Sequence, residues 1–264
     1  MLRTITCAAF LSLCLAPTAL ARKPETGFLN RTIAVGADTY RYQVYVPANW
    51  DKHQKWPVIL FLHGAGERGN DGLLQTDVGL AHSIREHPAN FPFVVVMPQC
   101  NKDKLWTDPD MEAQALAALD RSIKEFKGDR DRLYLTGLSM GGYGTWDLGA
   151  KYPSRFAAYV PICAGIRGPE RFPQLHVSLV DDPQITDPYA ETARRIGKTP
   201  VWIFHGDADE AVPVEESRKM AEALKTANAD VKYTEYPGVG HNSWDKAYAE
   251  PQLVPFLLAH TLKH

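Results

Sequence analysis

The chain has few cysteines, no long apolar run and no excess of one charge, and each lack removes a class of protein. Four cysteines in 264 residues are too few for a disulfide scaffold. Lys and Arg number 29 against 31 Asp and Glu, and the two signs are mixed along the sequence. No basic stripe or tail points to nucleic acid, and no acidic block points to a solvating tail. The longest apolar stretch, near the N-terminus, is too short for a comfortable membrane span. Repeats, low-complexity tracts and linkers are absent. The glycine-rich loops carry no Walker lysine and no dinucleotide fingerprint, and the histidines beside them lack zinc-ligand spacing, so neither a metal nor an organic cofactor is implied. What remains is 45% hydrophobic and 23% charged, the composition of one α/β domain with a sizeable core.

The first residues read as an address. Arg3 supplies a positive n-region, Ile5 to Leu15 is apolar, and Ala19-Leu20-Ala21 is an A-x-A cleavage signal with Pro17 upstream. The alternatives are an uncleaved anchor or a buried N-terminal strand, but all three signal-peptide parts stand in order. Residues 1–21 are therefore expected to be a signal peptide and 22–264 a single exported domain, periplasmic or extracellular, with no membrane insertion after cleavage. Leu13 is large where a lipoprotein site before Cys14 would need a small residue, so lipidation is not expected. Cleavage removes Cys7 and Cys14 and leaves Cys100 and Cys163 in a compartment that permits pairing.

Five short aliphatic runs predict buried strands: Val58–Leu62, Phe93–Met97, Leu133–Thr136, Ala158–Ile162 and Val201–Phe204. Helical segments separate several of them, the pattern of a mostly parallel sheet covered on both faces. Ahead of them, Thr32–Ala34 and Tyr40–Val46 flank Gly36-Ala37-Asp38 and predict an antiparallel hairpin, and Val231–Tyr236 predicts a last strand. Asp108 is a candidate cap for a helix starting at Pro109, with Leu116, Leu119, Ile123 and Phe126 on one face and a stop at Gly128. Further helices are expected over Tyr189–Ile196, Pro213–Asn228 and Ser243–His260, the last interrupted near Pro251 or Pro255. Gly165–Thr199 is the least regular part, a loop-rich excursion of the kind that shapes a pocket.

The sharpest signal is Gly137-Leu138-Ser139-Met140-Gly141, a G-x-S-x-G directly after a predicted strand and before a helix running through Tyr152. That context is what a nucleophile elbow requires: flanking glycines permit the tight turn, and the helix N-terminus directs free N–H groups at a developing anion. A serine hydroxyl needs a base. Of nine histidines, His63 and His205 sit at strand ends in His-Gly pairs and read as loop anchors; His53 lies in a polar turn, and His82, His87, His176, His260 and His264 lack supporting context. His241, in the glycine-rich loop after the last strand, stands where the order Ser, acid, His puts the base. The acid between them comes from Asp207, Asp209 or Glu210. Asp209 is better placed to clear the strand end, Asp207 to tie down the turn; Asp182 and Asp187 are weaker candidates. Two backbone donors are needed for an oxyanion, and the Met140 N–H and the Ala65 N–H, the latter from His63-Gly64-Ala65-Gly66-Glu67-Arg68-Gly69, are the choice. Glu67 and Arg68 are candidates for a local ion pair. Trp106 and Trp244 are candidate pocket walls for a sugar ring or an aryl acyl group, with core packing the alternative.

The blocks His63–Gly69, Gly137–Gly142, His205–Pro213 and Gly240–Trp244, in this order, resemble α/β-hydrolases of the secreted carboxylesterase group. That group includes feruloyl and acetylxylan esterase-like proteins, polyhydroxybutyrate depolymerase-like proteins and peptidases related to prolyl oligopeptidase. The resemblance spans roughly Phe28 to Leu262. It implies a minimal cap, and its pattern H-G-x-x-D-x-x-V-P carries the catalytic acid at Asp209. The expected reaction is ester hydrolysis through an acyl-enzyme, on small-molecule or polysaccharide esters with short acyl or hydroxycinnamoyl groups; oligomeric state is not readable. A peptidase using the same residues, or a non-catalytic binding protein on the same fold, are the alternatives. In the family's strand order the strands before Cys100 and Cys163 have two others between them. Three steps of ~4.8 Å, or ~14 Å, are too long for a disulfide, which favours two free thiols.

Overall fold

The computed structural model describes residues 25–262; the expected signal peptide, with Cys7 and Cys14, lies outside them. The chain opens with β1 (Gly27–Val35), β2 (Asp38–Val46) and β3 (Trp56–Leu62), followed by α1 (Leu80–Glu86), β4 (Val94–Pro98) and α2 (Pro109–Glu125). Then come β5 (Gly128–Leu138), α3 (Met140–Lys151), β6 (Ala158–Ile162), α4 (Pro188–Ile196), β7 (Val201–Gly206), α5 (Val214–Thr226), β8 (Val231–Tyr236), α6 (Trp244–Tyr248) and α7 (Leu253–Leu258). The eight strands form one sheet in the order β1-β2-β4-β3-β5-β6-β7-β8. The β1–β2 hairpin pairs antiparallel and joins β4 antiparallel; every later pairing is parallel. This is the α/β-hydrolase fold that the sequence led us to expect.

The central strands are apolar without alternation because helices cover both faces. Strands β3, β4, β6 and β7 are buried along their whole length. On one face α2, α3, α4 and α5 contribute Leu119, Trp146, Ala193 and Met220 to a core that also holds Tyr159. On the other, α1, α6 and α7 pack Ile84, Tyr248 and Leu257 against Phe61, Tyr134 and Trp202.

The elements differ from expectation where local chemistry competes. Asp108 precedes α2, but its carboxylate accepts the Leu105 N–H at 3.0 Å and makes no cap bond to the helix. The loop amide, three residues back, takes the oxygen that a helix N–H would need. Helix α1 has seven residues, no side-chain cap and a glycine at φ 66° before it, so it left no start signal or usable period. The terminal helix breaks at Pro251, between α6 and α7, whereas Pro255 is accommodated inside α7. Cys100 and Cys163 are buried and free, and β3 and β5 separate their strands.

The connection after β3 leads to β4 on one side of the sheet, while β5 continues to β6 on the other. The carboxyl ends of β3 and β5 therefore flank a topological switch point, where an open α/β sheet leaves a crevice.

Candidate functional site

Strand β5 ends at Leu138 and α3 begins at Met140, so the whole turn between them is Ser139. Its backbone sits at φ 51°, a left-handed conformation that costs a non-glycine residue about 1–3 kcal/mol. The surroundings hold it there: the Ser139 N–H donates to Ile162 O at 2.9 Å, and Ser139 O accepts from Gly142 and Tyr143 N–H. Gly141 explains the motif's second glycine, since a Cβ there would lie 1.9 Å from the Leu62 carbonyl oxygen of β3.

His241 and Asp209 reach Ser139 from neighbouring strand ends. The loop after β7 and the loop after β8 interlock through backbone: Asp207 N–H donates to Tyr236 O at 3.2 Å and Ala208 N–H to Val239 O at 3.0 Å. Such close approach requires Gly206, where a Cβ would stand 2.1 Å from Val239 O. His241 Nε2 lies 2.9 Å from Ser139 Oγ, and His241 Nδ1 lies 2.7 Å from Asp209 Oδ2. The Asp209 side chain is wholly buried. Its Oδ1 accepts the Ala211 and Val212 N–H groups at 2.8 and 2.9 Å. Burial alone would raise this carboxyl's pKa, but hydrogen bonds from His205, His241 and the Val212 N–H outweigh it and hold the group well below the usual carboxylate range.

Three of the rival acids are occupied elsewhere. Asp207 accepts the Gly238 N–H at 2.6 Å and ties down the turn, as anticipated. Asp187 caps α4 through the Tyr189 and Ala190 N–H groups, and Asp182 accepts the Gln184 N–H.

Ala65 opens a short 3-10 turn, Ala65–Glu67, and Met140 opens α3. A first helical residue has no acceptor within its own helix, so both N–H groups can serve a ligand. Both residues line a cavity of about 420 Å³ together with Ser139 and His241. His63 fixes the Ala65 loop from beneath: its Nε2 accepts the Cys100 N–H at 2.9 Å, leaving Nδ1 to donate to Gly64 O at 2.6 Å. Burial pushes this imidazole down to about 4, so it is neutral near pH 7. The anchoring role read for His63 is what the geometry gives. Arg68, by contrast, does not pair with Glu67. Its guanidinium donates to the Ala65 and Lys104 carbonyls, which fastens the loop through backbone acceptors instead.

Trp244 lines the cavity and packs edge-on to the His241 ring, centroids 5.5 Å apart. Trp106 does not. It is 1% exposed, donates its indole N–H to His63 O at 2.9 Å and stacks edge-on against the His63 ring, so it supports the Ala65 loop from behind. The large ring finds both core packing and a buried acceptor there.

Four residues of the irregular excursion, Pro169, Phe172, Gln174 and Leu175, form a further part of the wall, with Leu105, Leu138 and Val212 completing a largely apolar lining. Two buried carboxylates pin this excursion. Glu216 of α5 accepts the Ile166 and Arg167 N–H groups at 3.0 and 2.9 Å on one oxygen and the Tyr189 hydroxyl at 2.6 Å on the other. Asp147 of α3 accepts the Ser178 N–H at 2.7 Å and pairs with Lys151 at 2.8 Å. None of these wall residues or pins was singled out from sequence. A glutamate or aspartate inside an amphipathic helix gives no sign of which loop it will meet.

Comparison with known proteins places the chain. The family model described as "Dienelactone hydrolase family" matches residues 47–250. A crystal structure of a thermostable esterase superposes with a TM-score of 0.71 and 31% identity, covering 89% of this chain and 63% of that one. An uncharacterized secreted protein of Arthroderma benhamiae is 28% identical over 77% of this chain, and acyl-protein thioesterase 1 of Gibberella zeae is 34% identical over 43% of it. The matches span only 23% and 42% of those two relatives' own lengths.

Proposed function

This chain belongs to the dienelactone hydrolase family, and we propose that it is an exported serine hydrolase that cleaves carboxylic esters through an acyl-enzyme on Ser139. The observation that carries the proposal is the continuous hydrogen-bonded chain Ser139–His241–Asp209 opening into an apolar cavity. His241 Nε2 takes the hydroxyl proton as Ser139 Oγ attacks the ester carbonyl, and it returns that proton to the leaving alkoxide. Asp209 Oδ2 holds the Nδ1–H tautomer and stabilises the imidazolium that forms. The Ala65 and Met140 N–H groups hold the oxyanion of the tetrahedral intermediate. A water activated by His241 then releases the acid and restores Ser139.

The acyl group lies against Leu138, Leu175, Val212 and Trp244. A cavity of about 420 Å³ with this lining suits a short aliphatic acyl or a hydroxycinnamoyl group. Polysaccharide esters are the natural source of both in an exported enzyme. The secreted relative and the leader expected over residues 1–21 support export. The thermostable esterase, similar over most of this chain, supports an ester as substrate.

The test is hydrolysis of p-nitrophenyl acetate, acetylated xylan, methyl ferulate and a peptidyl anilide by the purified protein beside Ser139→Ala. The expected result is ester cleavage, with Ser139→Ala lowering kcat by at least about 10³-fold, and fluorophosphonate labelling of the wild type alone. Cleavage of the anilide alone would replace the ester reading with a peptidase. Absence of both turnover and labelling would leave a non-catalytic binding protein.

A further inference from the structure

Asp209 Oδ2 does not serve His241 alone. His205 Nε2 lies 3.1 Å from the same oxygen and 3.0 Å from the Val212 carbonyl oxygen. Both neighbours are acceptors, so this nitrogen carries a hydrogen and shares it between them. On the other side of the ring, Nδ1 lies 2.7 Å from Ser217 Oγ of α5, and that oxygen lies 3.0 Å from Ala164 O, so its single hydrogen is within reach of both acceptors. His205 and Ser217 are fully buried. The imidazole is thus held from both ends, between the strand end of β6, helix α5 and the acid loop.

We propose that His205 is a positioning residue: its Nε2–H, shared with His241 Nδ1–H on one oxygen of Asp209, orients the carboxylate and moderates its pull on His241. The proposal rests on the ester-hydrolase reading above. The Ala211 and Val212 N–H groups fix one carboxylate oxygen. Without a second donor on Oδ2, the remaining lone pair of this buried carboxylate would lack a partner. His205 fills that place and divides the oxygen's negative charge between two donors. A carboxylate so divided stabilises the imidazolium less than one bonded to His241 alone, so the base gives up its proton more readily at deacylation.

The spacing H-G-x-x-D is then one device. His205 lies in β7 next to its last residue, Gly206 admits the Val239 backbone, and the two residues after it turn Asp209 back over the His205 ring. Three titratable groups that face the pair are shifted away from neutral pH. Burial raises the pKa of the Cys163 thiol and the Tyr143 phenol, while the hydrogen bond from Arg218 lowers that of Glu235. His205 does not line the cavity, so its effect should fall on kcat and on the pH profile rather than on KM.

The test compares wild type with His205→Phe, which fills the space without a donor, and His205→Gln, whose amide N–H reaches toward the position of Nε2. Hydrolysis of p-nitrophenyl acetate is followed from about pH 5 to 9, with active sites counted by fluorophosphonate labelling and folding checked by circular dichroism. For His205→Phe the expected result is a kcat about 10- to 100-fold lower per labelled site, KM within about twofold, and the lower limb of kcat/KM moved to higher pH. His205→Gln should recover most of kcat and return the limb. A folded His205→Phe with unchanged kcat and limb overturns the proposal, as does one whose activity falls only in step with the labelled fraction. If His205→Phe does not fold, proton NMR of the ¹⁵N-histidine-labelled wild type decides. Two low-field ring protons that both move in Asp209→Asn support the shared oxygen, and a single one refutes it. Should Ser139→Ala retain turnover, the catalytic assignment itself fails, an outcome separate from either of these.

Discussion

The two walls of the cavity are built by different means. On one side, Ser139 and His241, with the buried Asp209 behind them, stand on loops one residue to five residues beyond the ends of parallel strands, with backbones so close that Gly141 and Gly206 tolerate no side chain. On the other, Pro169, Phe172, Gln174 and Leu175 ride on an excursion that contains no strand and is tied to the body by Glu216 and Asp147. In the proposed mechanism, main-chain geometry sets the reacting atoms, whereas a few side-chain bonds set the shape that would meet the substrate. The first arrangement resists change because the whole sheet must move with it. The second can be altered one pin at a time, which is how one scaffold can vary its substrate while keeping its chemistry.

Asp209→Asn should give the largest effect and tests the reacting wall alone. The amide keeps the shape but offers His241 Nδ1 a donor or a neutral acceptor, and so loses the tautomer control and the charge beneath the imidazolium. We expect kcat for p-nitrophenyl acetate to fall by about 10⁴-fold at neutral pH, with the urea midpoint changed far less. A loss below about tenfold would show that the carboxylate beside His241 is a structural pin like Glu216, and the contrast between the walls would collapse.

That contrast also explains what the sequence made legible. That Ser139, Asp209 and His241 come together was readable because each follows a strand end whose geometry demands glycine nearby, and glycines at fixed spacing survive as a pattern. The strands were readable as continuous apolar runs because helices bury both faces of the sheet. Trp106 was misplaced because an indole behind a loop and an indole in a cavity look alike in sequence. His205 was read as an anchor, which it is; that it touches the acid depends on the turn over residues 206–208, and only the i, i+4 spacing hinted at it. Glu216, Asp147 and the wall they hold could not be read, because their partners are backbone N–H groups of a loop with no period of its own. Helix α1 was missed because seven residues do not establish a period.

Glu216→Ala should sharpen the comparison from the other side. It leaves the buried Ile166 N–H and the partly buried Arg167 N–H and Tyr189 hydroxyl without their acceptor, at a cost of about 1–3 kcal/mol. Equilibrium urea unfolding measures this. Glu216→Gln keeps an oxygen for the two amides, and the Tyr189 hydroxyl can turn to accept, so most of the stability should remain. In both variants the labelling rate with a small fluorophosphonate should stay near the wild-type value while KM for methyl ferulate rises in Glu216→Ala. A proportional loss of labelling would mean that the excursion and the reacting wall move together. Phe172→Ala is the milder version. The ring is 53% exposed, so stability should change by no more than about 0.5 kcal/mol, and KM for aryl esters should rise a few-fold with kcat held.

The smallest effect should come from pH, through His176. Its Nδ1 lies 2.8 Å from Pro173 O and its Nε2 lies 2.9 Å from an oxygen of Asp181, so both ring nitrogens face acceptors and only the protonated ring satisfies both. Burial lowers the pKa of this imidazole, but the Pro173 carbonyl and the Asp181 carboxylate together overcome that and raise it above its ordinary value. A histidine whose folded pKa is raised contributes stability that is fully present below the unfolded value, about 6.5, and is lost as pH rises through the folded value. The bond from His176 spans the segment carrying Gln174 and Leu175, so it belongs to the adjustable wall. His176→Gln should therefore lie slightly below wild type in urea midpoint at about pH 5.5, and the two curves should converge at about pH 9. A gap that is constant over this range would mean that the ring acts by packing alone. A gap that widens with pH would reverse the sign of the linkage and place the neutral ring, not the imidazolium, in the folded wall.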